Sequence, residues 1–365
     1  MRVVHYIGSL EFGGIERLVY DLVSQQIKRD SIKTAIGIGK LKGEFKTQFE
    51  SLGATLINFD LSSGFDLNPL KILKVSRVFM DYDVIHLHGF HFAIALAAIL
   101  SRKKIIYTEH GNFGFGRQNK TSDKLSFFLR KLFFKYKSVH ICCNSTFTKN
   151  LVEKRFYKGR RLQVVYNGSS LDKVINLQLL QQLQDKYSSN FTVGVVGRLA
   201  GVKRVDKVIE VFNAFLKINT SAKLLILGEG IEKENLIKKV NNLSIMDNVE
   251  FLGYQDEIMT YQSLFNVGII GSKNEAFGLV TIESYSIGTP ILAFNDGGGV
   301  VEIINRFVPG DVCLDEKTMI ERLIHYQINE FVTKNDFKNQ LEFFSLERME
   351  QEYFNQYKEV VNVRN

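Results

Sequence analysis

The chain has 365 residues, more than one ordinary hydrophobic core holds, so two domains are expected. Its 45% hydrophobic and 24% charged residues, three prolines and three cysteines exclude a low-complexity chain and a disulfide framework. The net charge of +8 is unevenly spread: residues 1–180 carry 28 Lys and Arg against 14 Asp and Glu, and residues 181–365 carry 19 against 25. That asymmetry points to two modules and an anionic partner for the first.

Met1 runs straight into RVVHYIG without the order of a signal peptide, and the longest apolar run, FAIALAAIL at 92–100, is too short to span a bilayer. A cytoplasmic protein is expected, with Cys142, Cys143 and Cys313 as buried thiols of a reducing compartment. Short β-branched runs then alternate with amphipathic segments: VVHYI, KTAIGI, ATLINF, DVIHLH, KIIYTE, SVHICC and LQVVYN up to residue 167. This alternation predicts a parallel sheet covered by helices on both faces. EFGGIERLV at 11–19 follows the first strand, and Gly13-Gly14 before a helix reads as a phosphate-approaching turn or as a tight βα connection.

HLHGFH at 86–91 offers three histidines, but no acidic or thiol partner stands at a ligand spacing, so no metal is expected. His86 and His88 alternate on one strand and face a cleft mouth or the core, whereas His110 in YTEHGN lies just past a strand's carboxyl end, where ligands sit in such folds. DKLSFFLRKLFFKYK at 123–137 predicts an amphipathic helix with Leu125, Phe128, Leu129, Leu132, Phe133 and Tyr136 turned inward. Phe127 and Phe134 fall outside that stripe beside Arg130, Lys131 and Lys135, an arrangement suited to an anionic membrane surface or to covering a neighbouring element. The basic half carries no zinc-finger spacing, RNP-like aromatic motif or basic-region heptads, so no nucleic acid is expected.

A polar stretch, NGSSLDKVINLQLLQQLQDKYSSN, separates the halves and places a boundary near residues 168–190. A second series of strands follows: FTVGVVG, AKLLILG, VEFLG, VGIIG and TPILAF. The chain thus reads as two doubly wound domains facing a cleft, with ligands at the carboxyl ends of the strands. In VGRLAGVKR at 196–204, Gly197 ends a strand and Arg198 and Lys203 follow as two cations placed for a diphosphate; ordinary surface cations are the plainer alternative. LGEGIE at 227–232 is another glycine turn of no specific spacing, and no P-loop motif occurs. In SKNEAFGLVTIESYSIG, a loop leads into a helix that opens near Gly278–Val280 and closes at Gly288. Its amino end favours an anion, Glu275 before it suits sugar hydroxyls, and Glu283 one turn in suits two vicinal hydroxyls; a capping Glu275 and a solvated Glu283 fit the spacing as well.

Taken in order, FGGIERLV, VIHLHG, YTEHG, VVYNGS, VGRLAGVKR, LLILGEG, VEFLGY and SKNEAFGLVTIESYSIGTPILAFNDGG resemble the family 4 retaining glycosyltransferases along nearly the whole chain, the last block carrying their E-x7-E signature. The resemblance implies the GT-B fold: an N-terminal Rossmann-like acceptor domain over residues 1–170 plus 346–365, and a C-terminal Rossmann-like donor domain over 171–345. The closing FSLERMEQEYFNQY would form a helix returning to the first domain. It implies transfer of a hexose or N-acetylhexosamine from a nucleotide-sugar, UDP foremost, to a saccharide or lipid-linked acceptor in cell-surface polysaccharide synthesis, with no cofactor and no metal. By position, Glu283 matches the acid holding the donor ribose and Glu275 the acid near the donor hexose. Phe277, Gly278, Leu279 and Val280 match the amides meeting sugar and phosphate, and Arg198 and Lys203 the pair neutralising the leaving diphosphate. Gly14 matches the first-domain loop, His110 the cleft histidine and Tyr254 the place of the base. The sequence departs from the pattern at Arg204, where glycine is usual, and at Gly271, where proline is common. A GT-B nucleotide-sugar epimerase and a non-catalytic glycan or lipid binder are the alternatives, with a dinucleotide dehydrogenase more distant.

Overall fold

The computed structural model of the chain describes residues 1–11, 13–111, 121–172, 174–329 and 337–362. The β-branched runs of the first half form a parallel sheet of seven strands among the described residues: β1 Arg2–Ile7, β2 Lys33–Ile38, β3 Thr55–Asn58, β4 Val84–Leu87, β5 Lys104–Glu109, β6 Val139–Cys143 and β7 Leu162–Val164. Their order is β3-β2-β1-β4-β5-β6-β7. Helices α1 Gly14–Ile27, α2 Phe45–Ser51, α3 Pro69–Met80, α4 Phe92–Leu100, α5 Thr121–Lys135 and α6 Thr146–Arg155 connect the strands. The second half repeats the scheme with β8 Thr192–Val196, β9 Lys223–Leu227, β10 Val249–Gly253, β11 Val267–Ile270, β12 Ile291–Phe294 and β13 Val312–Cys313, in the order β10-β9-β8-β11-β12-β13. Its helices are α7 Leu177–Tyr187, α8 Val205–Leu216, α9 Lys233–Asn242, α10 Ile258–Leu264, α11 Leu279–Ile287, α12 Gly299–Phe307, α13 Glu316–Ile328 and α14 Lys338–Phe343.

Each sheet has the order of a doubly wound fold, with a point where successive crossovers turn in opposite directions. In the first sheet β1 pairs with both β2 and β4; in the second β8 pairs with both β9 and β11. The helices swing to opposite sides there, leaving the carboxyl ends of β1/β4 and β8/β11 uncovered for a ligand.

The chain forms two compact units, Met1–Gly168 with Ser345–Asn365, and Ser169–Phe344. The last helix, α15 Leu346–Asn362, belongs to the first unit. Its Leu346, Met349, Tyr353, Tyr357 and Val360 recur at helical spacing and join Leu18 and Leu22 of α1 and Val3, Val84, Ile106 and Cys142 of the sheet in one buried cluster. Glu350, buried on the same helix, accepts a fork of two hydrogen bonds from Arg29 at 2.9 and 2.5 Å. All three cysteines are buried free thiols. Among the described residues no helix is long and apolar enough to cross a membrane.

One helix is unforeseen in the sequence, and one expectation is corrected. The polar stretch after Gly168 contains a helix, α7, capped by the Asn176 side chain and seated through Leu183 and Tyr187 against Leu225, Leu227, Tyr261 and Phe265. On α5 the inward face is other than the sequence suggests. Phe133 and Phe134 are both buried, and Phe134 is fully covered against Tyr107 and Phe156. Arg130 also turns inward, to Glu109. Leu125, Phe128 and Leu132, expected inside, are 51, 56 and 51% exposed, with Tyr136 exposed after them. Phe127 is also exposed, one side of its ring lying 4.4 Å from that of Phe156.

Candidate active site

The second unit gathers three loops at the carboxyl ends of β8, β11 and β12. After β8 the chain turns through Gly197 (φ 147°), exposes Arg198, makes a short 3-10 turn over Gly201–Lys203 and enters α8 through Arg204. After β11 it runs from Gly271 to Gly278 and enters α11. Because β8 and β11 are hydrogen-bonded neighbours, these loops lie side by side, and Lys273 N donates to Val202 O across them.

Glu275 sits where the loops meet, and its backbone is fixed before its side chain acts. Its N–H donates to Gly297 O, its carbonyl accepts from Gly299 N, and Asn274 N donates to Asp296 O, which makes the segment a one-bridge extension alongside the loop after β12. Only glycine fits at 298, where φ is 74° and a Cβ would meet Glu275 O at 2.5 Å. The Glu275 carboxylate accepts from Lys203 Nζ at 2.6 Å. Burial raises its pKa, but Lys203, a hydrogen bond from Ser272 and the charge of Arg198 more than offset this, so the carboxyl is held below its ordinary value. Arg198 itself makes no side-chain hydrogen bond or ion pair among the described residues. The result is an ionised carboxylate between two cations.

The residue at 204 explains a departure noted in the sequence. Arg204 has φ 47°, the left-handed region that usually requires glycine. Its guanidinium donates to Gly271 O and Ser272 O and forks onto Asp296 at 2.9 and 2.5 Å, fastening the loops after β11 and β12 to the head of α8. Gly271 permits this approach, since a Cβ there would come within 2.8 Å of the Lys203 and Arg204 carbonyls. Sequence reasoning singled out Lys203 and missed Arg204, which organises the loops around it.

Gly278 precedes α11 with φ 96° and has no room for a Cβ, which would meet Val300 Cγ2 at 2.5 Å. Leu279 and Val280 form the first helical turn, where backbone amides and the helix dipole favour an anion. Phe277 is a buried anchor, edge-on to Phe344 at 6.0 Å. Glu283 lies in the second turn, partly exposed. Tyr254 follows β10 and is 59% exposed. The second glycine turn, at 227–230, is a packing device: Gly228 and Gly230 press on the carbonyls of Gly197 and Leu199.

In the first unit a cavity of about 360 Å³ lies at the carboxyl ends of β1, β4 and β5. Ser9, Glu16, His88, His91, Glu109, His110 and Arg130 supply its polar lining. Gly14 opens α1 beside it, with nothing within 4 Å of where a Cβ would stand; Phe12 lies outside the described residues. Glu109 accepts from Arg130 at 3.0 Å and from Gly111 N at 3.1 Å, so Arg130 is a partner of this wall and faces no membrane. His86 and His88 are core residues, although His88 also reaches the cavity. Ring nitrogens of His5, His86 and His88 lie within 4.8 Å of one another, a spacing open to a metal, but both nitrogens of His86 are engaged by hydroxyls, Tyr357 at 2.8 Å and Thr108 at 2.7 Å.

Comparison with known proteins agrees with this architecture. Residues 180–342 match the family model of glycosyl transferases group 1, and residues 12–173 that of glycosyltransferase family 4. The chain is 31% identical over 157 residues to N-acetyl-alpha-D-glucosaminyl L-malate synthase of Bacillus anthracis, a match spanning 42% of this chain and 41% of that one. It is 29% identical over 147 residues to the O-antigen biosynthesis glycosyltransferase WclY of Escherichia coli, spanning 38% and 39%. In structure it is similar to HepE of Anabaena in complex with UDP and glucose, with TM-score 0.82 and 18% identity over 98% of this chain and 100% of that one.

Two outcomes follow from the loop geometry. R204G is expected to be about 1 kcal/mol more stable than R204A, because both lose the clamp and only alanine bears the left-handed strain; equal urea midpoints would show the turn to be unstrained. A carboxyl held low contributes stability above its ordinary titration range and loses it as pH falls through its folded value. K203M removes the foremost group holding the Glu275 carboxyl down, so its folded value rises and the loss of stability that this carboxyl causes as pH falls should shrink; an unchanged acid limb would show that Lys203 does not set it. With both halves matched and both sheets in place, the chain has the GT-B fold, its N-terminal half matching the model of glycosyltransferase family 4 and its C-terminal half that of glycosyl transferases group 1.

Proposed function

We propose that the chain transfers a hexose or N-acetylhexosamine from a UDP-sugar to a saccharide or lipid-linked acceptor of a cell-surface polysaccharide, retaining the anomeric configuration and using no metal. The observation that carries this reading is the Lys203–Glu275 pair beside Arg198 and the amino end of α11, where β8 and β11 diverge. The saccharide acceptor draws support from the O-antigen relative, and the uridine donor from the UDP and glucose bound to HepE.

In this mechanism the second unit holds the donor. Glu283 takes the ribose hydroxyls, Tyr254 stands by the base, and the amides of Gly278, Leu279 and Val280 meet sugar and phosphate. Arg198 and Lys203 stabilise the charge that develops on the leaving diphosphate, the kind of electrostatic term that dominates such transfers. Lys203 must shift part of its hydrogen bonding from Glu275 to the phosphate, which leaves the carboxylate, already ionised, to accept from hexose hydroxyls. Displacement occurs on the front face, and the departing phosphate takes the acceptor's proton. The first-unit cavity, with Gly14 beside it and His110 in its wall, receives the sugar or acceptor.

The peripheral partner is an anionic membrane, met by the outward stripe Leu125, Phe128 and Leu132 with Lys124, Lys131 and Lys135 around it. This face replaces the one the sequence suggested, since Phe134 and Arg130 are committed inside.

UDP at about a hundred times its dissociation constant is expected to add roughly 2.7 kcal/mol of apparent stability to the wild type. E283A should lose that gain in a thermal-shift assay run with UDP, GDP, ADP and NAD. A wild type that no nucleotide stabilises would overturn the donor site, and a response to NAD alone would overturn the reading of both domains. F128S combined with K131E should reduce co-sedimentation with phosphatidylglycerol vesicles; unchanged binding would remove the membrane from the account.

A further inference from the structure

Three imidazoles, one on β1 and two just past the ends of β4 and β5, stand in series between the core and the cavity. Gln26 of α1 begins the series, with Oε1 2.8 Å from His5 Nε2. His5 Nδ1 lies 2.9 Å from His88 Nε2, and His88 Nδ1 lies 3.2 Å from His110 Nε2. The series exists because residues two apart on a strand share a face and because His5 pairs in register with His86, which brings β1, β4 and the end of β5 together. His5 and His88 are buried, and desolvation holds the pKa of His5 and His110 down at about 4 and that of His88 well below its ordinary value. Each ring is therefore neutral near pH 7, with one N–H and one lone pair.

Neutral rings in series have a single shared direction. A carbonyl oxygen only accepts, so Gln26 Oε1 accepts a hydrogen bond from His5 Nε2–H, and Gln26 Nε2 donates to the Tyr357 hydroxyl oxygen at 3.1 Å. His5 Nδ1 is then a lone pair that accepts from His88 Nε2–H, and His88 Nδ1 in turn accepts from His110 Nε2–H. His110 Nδ1 is left with its lone pair. No described residue donates to it, and His110 lines the cavity.

We propose that Gln26, His5 and His88 are positioning residues that lock His110 in its Nε2–H tautomer, so that Nδ1 is a fixed hydrogen-bond acceptor for a hydroxyl of the sugar bound in the first-unit cavity. The identity of that hydroxyl's owner rests on the transferase reading; the tautomer does not. A fixed acceptor selects a ligand with an O–H at that point and rejects one lacking it, because the built-in lone pair is otherwise left unpaired.

The test is nitrogen-15 NMR of the full-length chain with labelled histidine, His110 being assigned by loss of its signals in H110N. The wild type should show His110 with a protonated Nε2 and an unprotonated Nδ1; a protonated Nδ1, or an even mixture, overturns the proposal. Q26E, which only accepts, should keep this tautomer, and Q26K, which only donates, should reverse it. Q26K with the wild-type tautomer would also overturn the proposal. If neither variant folds, the wild-type spectrum decides alone. In transfer assays Q26K should lower kcat about tenfold while the donor KM moves less than twofold; an unchanged kcat would overturn the role given to Nδ1. The spectrum needs no donor or acceptor, so a failure of the transferase reading leaves it intact and the two failures are told apart.

Discussion

Every feature of the two candidate sites depends on one constraint of parallel sheets: where successive crossovers part to opposite faces, the carboxyl ends between them have no helix over them. This happens between β1 and β4 and again between β8 and β11. At the second divergence the open edge is filled by charge, with Lys203, Glu275 and Arg198 brought together from segments more than 70 residues apart. At the first it is filled by imidazoles and a small polar cavity. The same geometry thus produces an anion-friendly surface in one unit and a hydroxyl-friendly one in the other.

Both sites are held by backbone as much as by side chains. Glu275 is aimed by three main-chain hydrogen bonds and by glycines at 278 and 298 that no larger residue can replace. Arg204 shows the opposite solution, a bulky residue kept in a left-handed turn because its side chain ties down the loops that the turn brings close. Strain at a functional loop is retained where surrounding contacts over-determine it.

The strand series, the helix opened by Gly278 and closed by Gly288, and the return of the last helix are all legible in the sequence, because each rests on local periodicity or on a breaker residue. What escapes it depends on tertiary partners. The inward face of α5 is misread because Phe and Leu occur on both sides of that helix, and only the need of buried Glu109 for a cation decides that Arg130 and Phe134 turn in. Helix α7 hides in a glutamine-rich stretch whose few apolar residues, Leu179, Leu183 and Tyr187, meet a partner only after folding. The imidazole series is invisible because His5, Gln26 and His88 are brought together only by folding, and HLHGFH alone shows a single one of its members, His88.

The docking of α15 on the first unit has a consequence for synthesis. The face of the first sheet that carries Val3, Val84, Ile106 and Cys142 is covered by residues 346–360, which are made only after the whole second unit. The second unit, encoded between the two parts of the first, is complete before the first can be. Until α15 is made, the nascent first unit presents an open apolar face, and His86 and Thr108 have each other but lack Tyr357 and Tyr353, the hydroxyls that complete their hydrogen bonding. Translation therefore reverses the usual amino-to-carboxyl order of domain folding, and a prematurely terminated chain carries a finished second unit beside a first unit ready to aggregate.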